Sequence, residues 1–141
     1  SADGPYLHAY TYNGHPIGCA VALANIKIIE EEGFVQQAAD KGTHLLATLH
    51  DAFADHPHVG NIRGKGMMCG VEFVEAPSTK EPFSPGQNIG QRIHAATQQR
   101  GLFTRVRGDT FCLAPPIITS LEELNWAVDT LLQSANEVLG L

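Results

Sequence analysis

The sequence is short of cysteine, of basic charge and of long apolar runs, and each shortage removes a class of function. Its cysteines are Cys19, Cys69 and Cys112, far apart and with no CxxC pair. Neither a structural zinc site nor a disulfide framework is expected from that spacing. Such sparing use of cysteine fits a reducing compartment, and the cytoplasm is the expected location. Lys and Arg number 9 against 15 Asp and Glu, a net charge of −6. A nucleic-acid binder needs a basic patch. Here the basic residues are scattered, which also leaves no polybasic membrane patch. The longest apolar run, Ile17 to Ile29, is broken by Asn25 and Lys27. A membrane helix takes about 20 apolar residues, so no membrane span is expected. Asp3, Gly4 and Pro5 stand where a signal peptide would be apolar. The chain opens without Met and reads either as a trimmed end or as a piece of something longer.

What remains is a chain of 141 residues, 43% hydrophobic, enough for one domain with a core. Turn signals at Gly4-Pro5 and Asn13-Gly14 make the first 14 residues loop. A helix is predicted from about His15, because Pro16 suits the first helical position, to about Glu32, with Gly33 as its stop. Ile17, Cys19, Val21, Leu23, Ile26, Ile28 and Ile29 cover most of its circumference, which predicts a buried helix. A second helix is expected over residues 34–54, with Phe34, Ala38, Leu45, Leu49 and Phe53 inward. Then come a short strand, a glycine turn and a strand from Met67 to Val74. A loop follows, then a helix over residues 88–101 closed by Gly101. "LFTRVRGDTFCLAPP" reads as a hairpin turning on Gly108-Asp109, type II′ with Gly first. The last helix opens on a capping box, Thr119 with Glu122 or Ser120 with Glu123. Its inward stripe is Leu121, Leu124, Val128, Leu131, Leu132 and Ala135. The order α-α-β-β-α-β-β-α gives an α+β fold, helices on one face of a small, mainly antiparallel sheet.

Four constellations could carry chemistry. "YTYNGHP" places Thr11 ahead of a helix N-terminus, whose free N–H groups favour an anion such as phosphate. The plain alternative is a capped turn leading into a core helix. "TRVRG" puts Arg105 and Arg107 on one face of a strand. Two guanidinium groups side by side repel unless an anion sits between them, and Arg grips a carboxylate with two prongs. The plain alternative is one solvated Arg and one paired locally, for instance with Asp109. "HPH" at residues 56–58 lacks a third ligand at a metal-site spacing, and His15 reads as a capping residue. "IRGKGMMCG" has neither the order nor the ending of a phosphate loop and reads as a tight turn, with Lys65 in solvent.

Taken together, "TYNGHPIGCAVALANI", "IRGKGMMCGVEF" and "LFTRVRGDTFCLAPPIITSLEELNWAVDTLL" resemble, in order, three segments of the class III (ω-type) pyridoxal-phosphate aminotransferases. The resemblance implies the C-terminal portion of a fold-type I enzyme. Residues 1–14 would be the tail of the large cofactor domain, 15–33 a connecting helix, and 34–141 the small α+β domain. It implies pyridoxal 5'-phosphate as cofactor and a homodimer, or dimer of dimers, with sites at the subunit interface. Thr11 would bind the cofactor phosphate of the neighbouring subunit, with the aromatic Tyr10 flanking it. Arg105 would pair with the substrate carboxylate, as in the amine–pyruvate or β-alanine–pyruvate branch, and swing aside for a substrate without one. Arg107 would be support or surface.

One part is missing. Aminotransferases attach their cofactor to a lysine, which also moves the proton. The lysines here are Lys27, Lys41, Lys65 and Lys80, and none matches the family position, which lies upstream of "TYNGHP". No catalytic residue is therefore expected in this segment, and alone it should be inactive. A same-fold aminomutase or racemase, and a stand-alone ligand-binding or dimerisation module, are the alternatives.

Overall fold

A computed structural model describes Gly4 and residues 8–141. The element order is α1 (Pro16–Glu31), α2 (Phe34–Ala52), β1 (Val59–Lys65), β2 (Met68–Phe73), a 3-10 turn (Pro85–Gln87), α3 (Ile89–Gln99), β3 (Arg105–Arg107), β4 (Thr110–Leu113) and α4 (Leu121–Leu139). The chain divides into two units, Ser1–Val35 and Gln36–Leu141. The turn signal at Gly4-Pro5 involves a residue outside those described.

The first unit holds a turn and α1. His15 is the N-cap of α1, accepting the Gly18 amide on Nδ1 at 3.4 Å, and Pro16 is its first residue. The expected burial of α1 is not found: none of its residues is buried, and Ile17 is 70% exposed. An apolar ring on a helix needs cover from more than one side. Among the described residues of its own unit, the turn ahead of α1 supplies no second layer.

The second unit is an antiparallel sheet in the order β1-β2-β4-β3. Alternation along the strands decides its faces. Cys69, Val71 and Phe73 of β2, with Phe111 and Leu113 of β4, are buried. Against them pack Leu45 and Leu49 of α2, Ile93 of α3, and Leu124, Val128 and Leu131 of α4. The other face carries Arg63, Glu72, Thr110, Cys112, Arg105 and Arg107. Arg63 and Glu72 form an ion pair there at 3.3 Å.

Local chemistry sets the junctions. The capping box uses Ser120 and Glu123, which resolves the two candidate pairs. α3 ends in a paired closure, Leu102 N–H to the Thr97 carbonyl and Gly101 N–H to that of Gln98, with Gly101 at φ +89°. This is a Schellman ending, one residue beyond the helix cap. In the β3–β4 turn Gly108 has φ +57°, while Asp109 is absent from the positive-φ residues. That pattern matches the expected type II′ turn. Two glycines mark close approaches. A Cβ on Gly42 would stand 2.3 Å from the Gly66 backbone, and one on Gly90 2.1 Å from the Gly108 carbonyl oxygen. Leu121 departs from the expected inward stripe: it is 48% exposed, because the first turn of α4 is in solvent and burial starts at Leu124.

Candidate functional site

Arg105 is the first residue of β3, an edge strand of three residues. It pairs in register with Cys112, and Arg107 pairs with Thr110, so the two arginines share the open face of the sheet as expected. Both are exposed. Neither makes a hydrogen bond or ion pair among the described residues. The local pairing of Arg107 with Asp109 is not observed. The Asp109 Oδ1 instead accepts the Gly90 amide at 2.8 Å, at the N-terminus of α3. Free N–H groups at a helix start attract a carboxylate, and that demand takes Asp109 away from the arginine.

Arg105 stands on the wall of a recess of about 670 Å³. Leu45, Phe103, Leu113, Pro115 and Trp126 form much of its lining. Its other charged residue, Glu123, is committed to the Ser120 backbone and hydroxyl. Those two bonds, the backbone one first, hold the Glu123 carboxyl below its ordinary pKa. Arg105 is thus the uncommitted charge on a mainly apolar wall. A small carboxylate with an apolar remainder would find there a two-pronged partner for its charge and apolar surface for its tail.

The backbone just before Arg105 is held by side chains. His94 of α3 donates from Nε2 to the Thr104 carbonyl at 3.0 Å; a carbonyl only accepts, so Nε2 carries the hydrogen. The Thr104 hydroxyl donates across to the Cys112 carbonyl. The His94 ring also lies 6.1 Å from that of the buried Phe111. Neither His94 nor Thr104 stood out in the sequence. Thr104 adjoins Arg105, but its role needs the position of Cys112, and His94 falls within an ordinary amphipathic helix.

Thr11 and Tyr10 belong to the first unit. The turn holding them is closed by Asn13 N–H to the Tyr10 carbonyl at 2.9 Å and His15 N–H to that of Tyr12 at 3.1 Å. Gly14 takes φ +72°. Thr11 is exposed, and its hydroxyl and amide have no partner among the described residues. They are donors of the kind a phosphate requires. Tyr10 is exposed, its ring edge-to-face with His8 at 4.8 Å.

His56 and His58 flank a structural turn. The His56 Nδ1 accepts the His58 amide at 3.2 Å, while its Nε2 is buried without a hydrogen-bond partner. Burial first, then the neighbouring His58, hold its pKa below the ordinary histidine value, against an opposing influence of Asn136. The His58 Nδ1 donates to the carbonyls of Val74 and Glu75. Among the described residues no three His, Cys, Asp or Glu side chains are grouped to hold a metal ion, and no helix is long and apolar enough to cross a membrane.

With this geometry in place, comparison with known proteins is specific. Residues 2–134 match the model of the family described as aminotransferase class-III. A diaminobutyrate–2-oxoglutarate transaminase of Halomonas elongata is 42% identical over 137 residues, covering 96% of this chain and 29% of the relative. The crystal structure of the omega transaminase from Pseudomonas jessenii in complex with PMP superposes with a TM-score of 0.87 at 37% identity, over 99% of this chain and 30% of that one. A transaminase structure with L-Ala gives the same TM-score and identity over 94% and 31%. The chain thus spans about three-tenths of the length of each of these proteins. The α+β fold read from the sequence is the one these transaminases share over the matched region. The chain belongs to the class III aminotransferase family.

Proposed function

We propose that this chain is the C-terminal portion of an aminotransferase that moves an amino group from an amine or ω-amino acid to a keto acid such as pyruvate. The observation that carries the reading is Arg105, uncommitted on the wall of a mainly apolar recess. The names of similar proteins support a carboxylate partner: one includes 2-oxoglutarate and another structure holds L-Ala. Both molecules carry the group that a guanidinium grips in two-pronged fashion.

Pyridoxal 5'-phosphate is the cofactor this reading implies, and the PMP in the Pseudomonas jessenii structure agrees with it. When bound, it supplies the electron sink for breaking bonds at the amine carbon. The exposed donors of Thr11 fit its phosphate, and Tyr10 would flank it. In this reading Thr11 serves the neighbouring subunit of a homodimer or dimer of dimers. Residues 1–14 belong to the large domain, 15–33 to the connecting helix and 34–141 to the small domain. The lysine that holds the cofactor lies upstream of Thr11. Arg105 neutralises the carboxylate of the keto acid, and its side chain moves aside for an amine that has none. The cytoplasm is the expected location.

Two measurements test this. Arg105→Ala in the full-length protein should raise KM for pyruvate about ten- to a hundred-fold, the scale of a lost charge-assisted hydrogen bond. KM for benzylamine should change far less, and an equal rise for both would remove Arg105 from the carboxylate role. Borohydride reduction, followed by intact mass, should show a pyridoxal group fixed to a lysine of a chain much longer than 141 residues. A protein of this length without the increment would instead support a stand-alone binding or dimerisation module.

A further inference from the structure

We infer that His94 and Thr104 are positioning residues for Arg105: together they fix the root of β3, so that substrate exchange moves the arginine side chain and not its strand. The inference rests on the carboxylate role proposed for Arg105.

A strand of three residues at a sheet edge has few ladder bonds to hold it. Its ends should fray. Both ends of this one are tied to the same helix by side chains. At the turn end, the Asp109 carboxylate accepts the Gly90 amide of α3 at 2.8 Å. At the other end, His94 of α3 donates to the Thr104 carbonyl at 3.0 Å. Thr104 lies outside the strand ladder, where its carbonyl would otherwise depend on water. Its hydroxyl reaches over to the carbonyl of Cys112, the register partner of Arg105. Residue 104 is therefore held from the helix side through its backbone and from β4 through its side chain. The next residue is Arg105.

This matters because two-pronged binding of a carboxylate is sensitive to direction. A guanidinium that reaches its partner from a root displaced by about 1 Å can lose most of the benefit of the contact. A frayed root would also offer the carboxylate many arginine positions in place of a few, an entropic cost on every encounter. A substrate lacking a carboxylate makes no use of the contact and should not register the loss. The prediction is thus a split between substrates, which a merely structural defect would not produce.

The test uses the full-length protein with pyruvate and benzylamine as probes. Thr104→Val keeps shape and removes the hydroxyl; Thr104→Ser restores it. Thr104→Val should raise KM for pyruvate roughly three- to ten-fold, the scale of one neutral hydrogen bond, leave KM for benzylamine unmoved, and speed amide exchange across residues 103–107. Thr104→Ser should return these values to those of the parent. The double variant with Arg105→Ala should be no worse for pyruvate than Arg105→Ala alone. His94→Gln, which retains a side-chain N–H, should be milder than His94→Leu in the same assay. If Arg105→Ala shows the substrate split and Thr104→Val shows none, or shifts both substrates equally, the positioning role is overturned and the carboxylate role stands. If Arg105→Ala itself shows no split, both fall together.

Discussion

His56 accepts the amide of His58, two residues on, as an Asx turn does, and in doing so fixes its own protonation state. The accepting Nδ1 must be bare, so any hydrogen on the neutral ring is on the buried Nε2. Adding a proton would place a donor against a donor and a charge in a partly apolar site beside Phe53 and Phe73. Other titratable groups nearby are His58, which opposes the charge, and Asp51 and Asp55 on the wall of the adjacent recess, to which α4 contributes the neutral Asn136. The folded pKa is depressed for this base. The unfolded chain therefore binds the proton more readily, and stability is full above about pH 6.5. It falls as pH drops below that value toward the lowered folded pKa. His56→Asn keeps an acceptor of the same reach without titrating there. It should flatten the loss of urea stability between pH 7 and 5, and an unchanged slope would show that other groups cause it.

The elements differ in how plainly the sequence announces them. Ser120 and Glu123 make a cap from residues three apart, so both partners were visible in one window; only the choice between two overlapping boxes needed the structure. Ser120→Ala should cost about 1 kcal/mol, read as a lowered urea midpoint at unchanged slope. The hairpin was equally legible, because Gly108 alone supplies the positive φ its turn demands. Arg105 and Arg107 on one face followed from strand alternation. What was not legible depends on separations that no local pattern carries. Local spacing offers Asp109 as one possible partner for a neighbouring arginine, whereas it serves a helix that begins 20 residues earlier, at Ile89. The bonds from His94 to Thr104 and from Thr104 to Cys112 are of the same kind. Gly90 shows how tightly helix and hairpin meet: its absent Cβ leaves room for the Gly108 carbonyl oxygen. Gly90→Ala should therefore cost roughly 1–3 kcal/mol through overpacking, although alanine favours a helix. A stabilised protein in thermal melts would contradict that contact.

At the scale of the molecule, the two units differ in what they can support alone. Every residue of the buried core cluster, from Leu45 to Ala135, lies in the second unit. A core that closes within one segment can fold as that segment. The first unit has no buried residue in α1, and Ile17, Val21, Leu23, Ile26 and Ile28 are all at least half exposed. Apolar surface gathered on one helix in this way drives association in water. A polypeptide of residues 34–141 should accordingly unfold in one cooperative transition and sediment as a monomer. The 141-residue chain should show the same transition but associate with rising concentration. Ile17→Lys with Val21→Lys should suppress that association and leave the melting temperature in place, because neither residue belongs to the core cluster. If the double substitution lowered the melting temperature by several degrees, α1 would contribute to the stability of the second unit. The cooperative unit would then include it, and the inactive-fragment reading would have to give ground to a self-sufficient module.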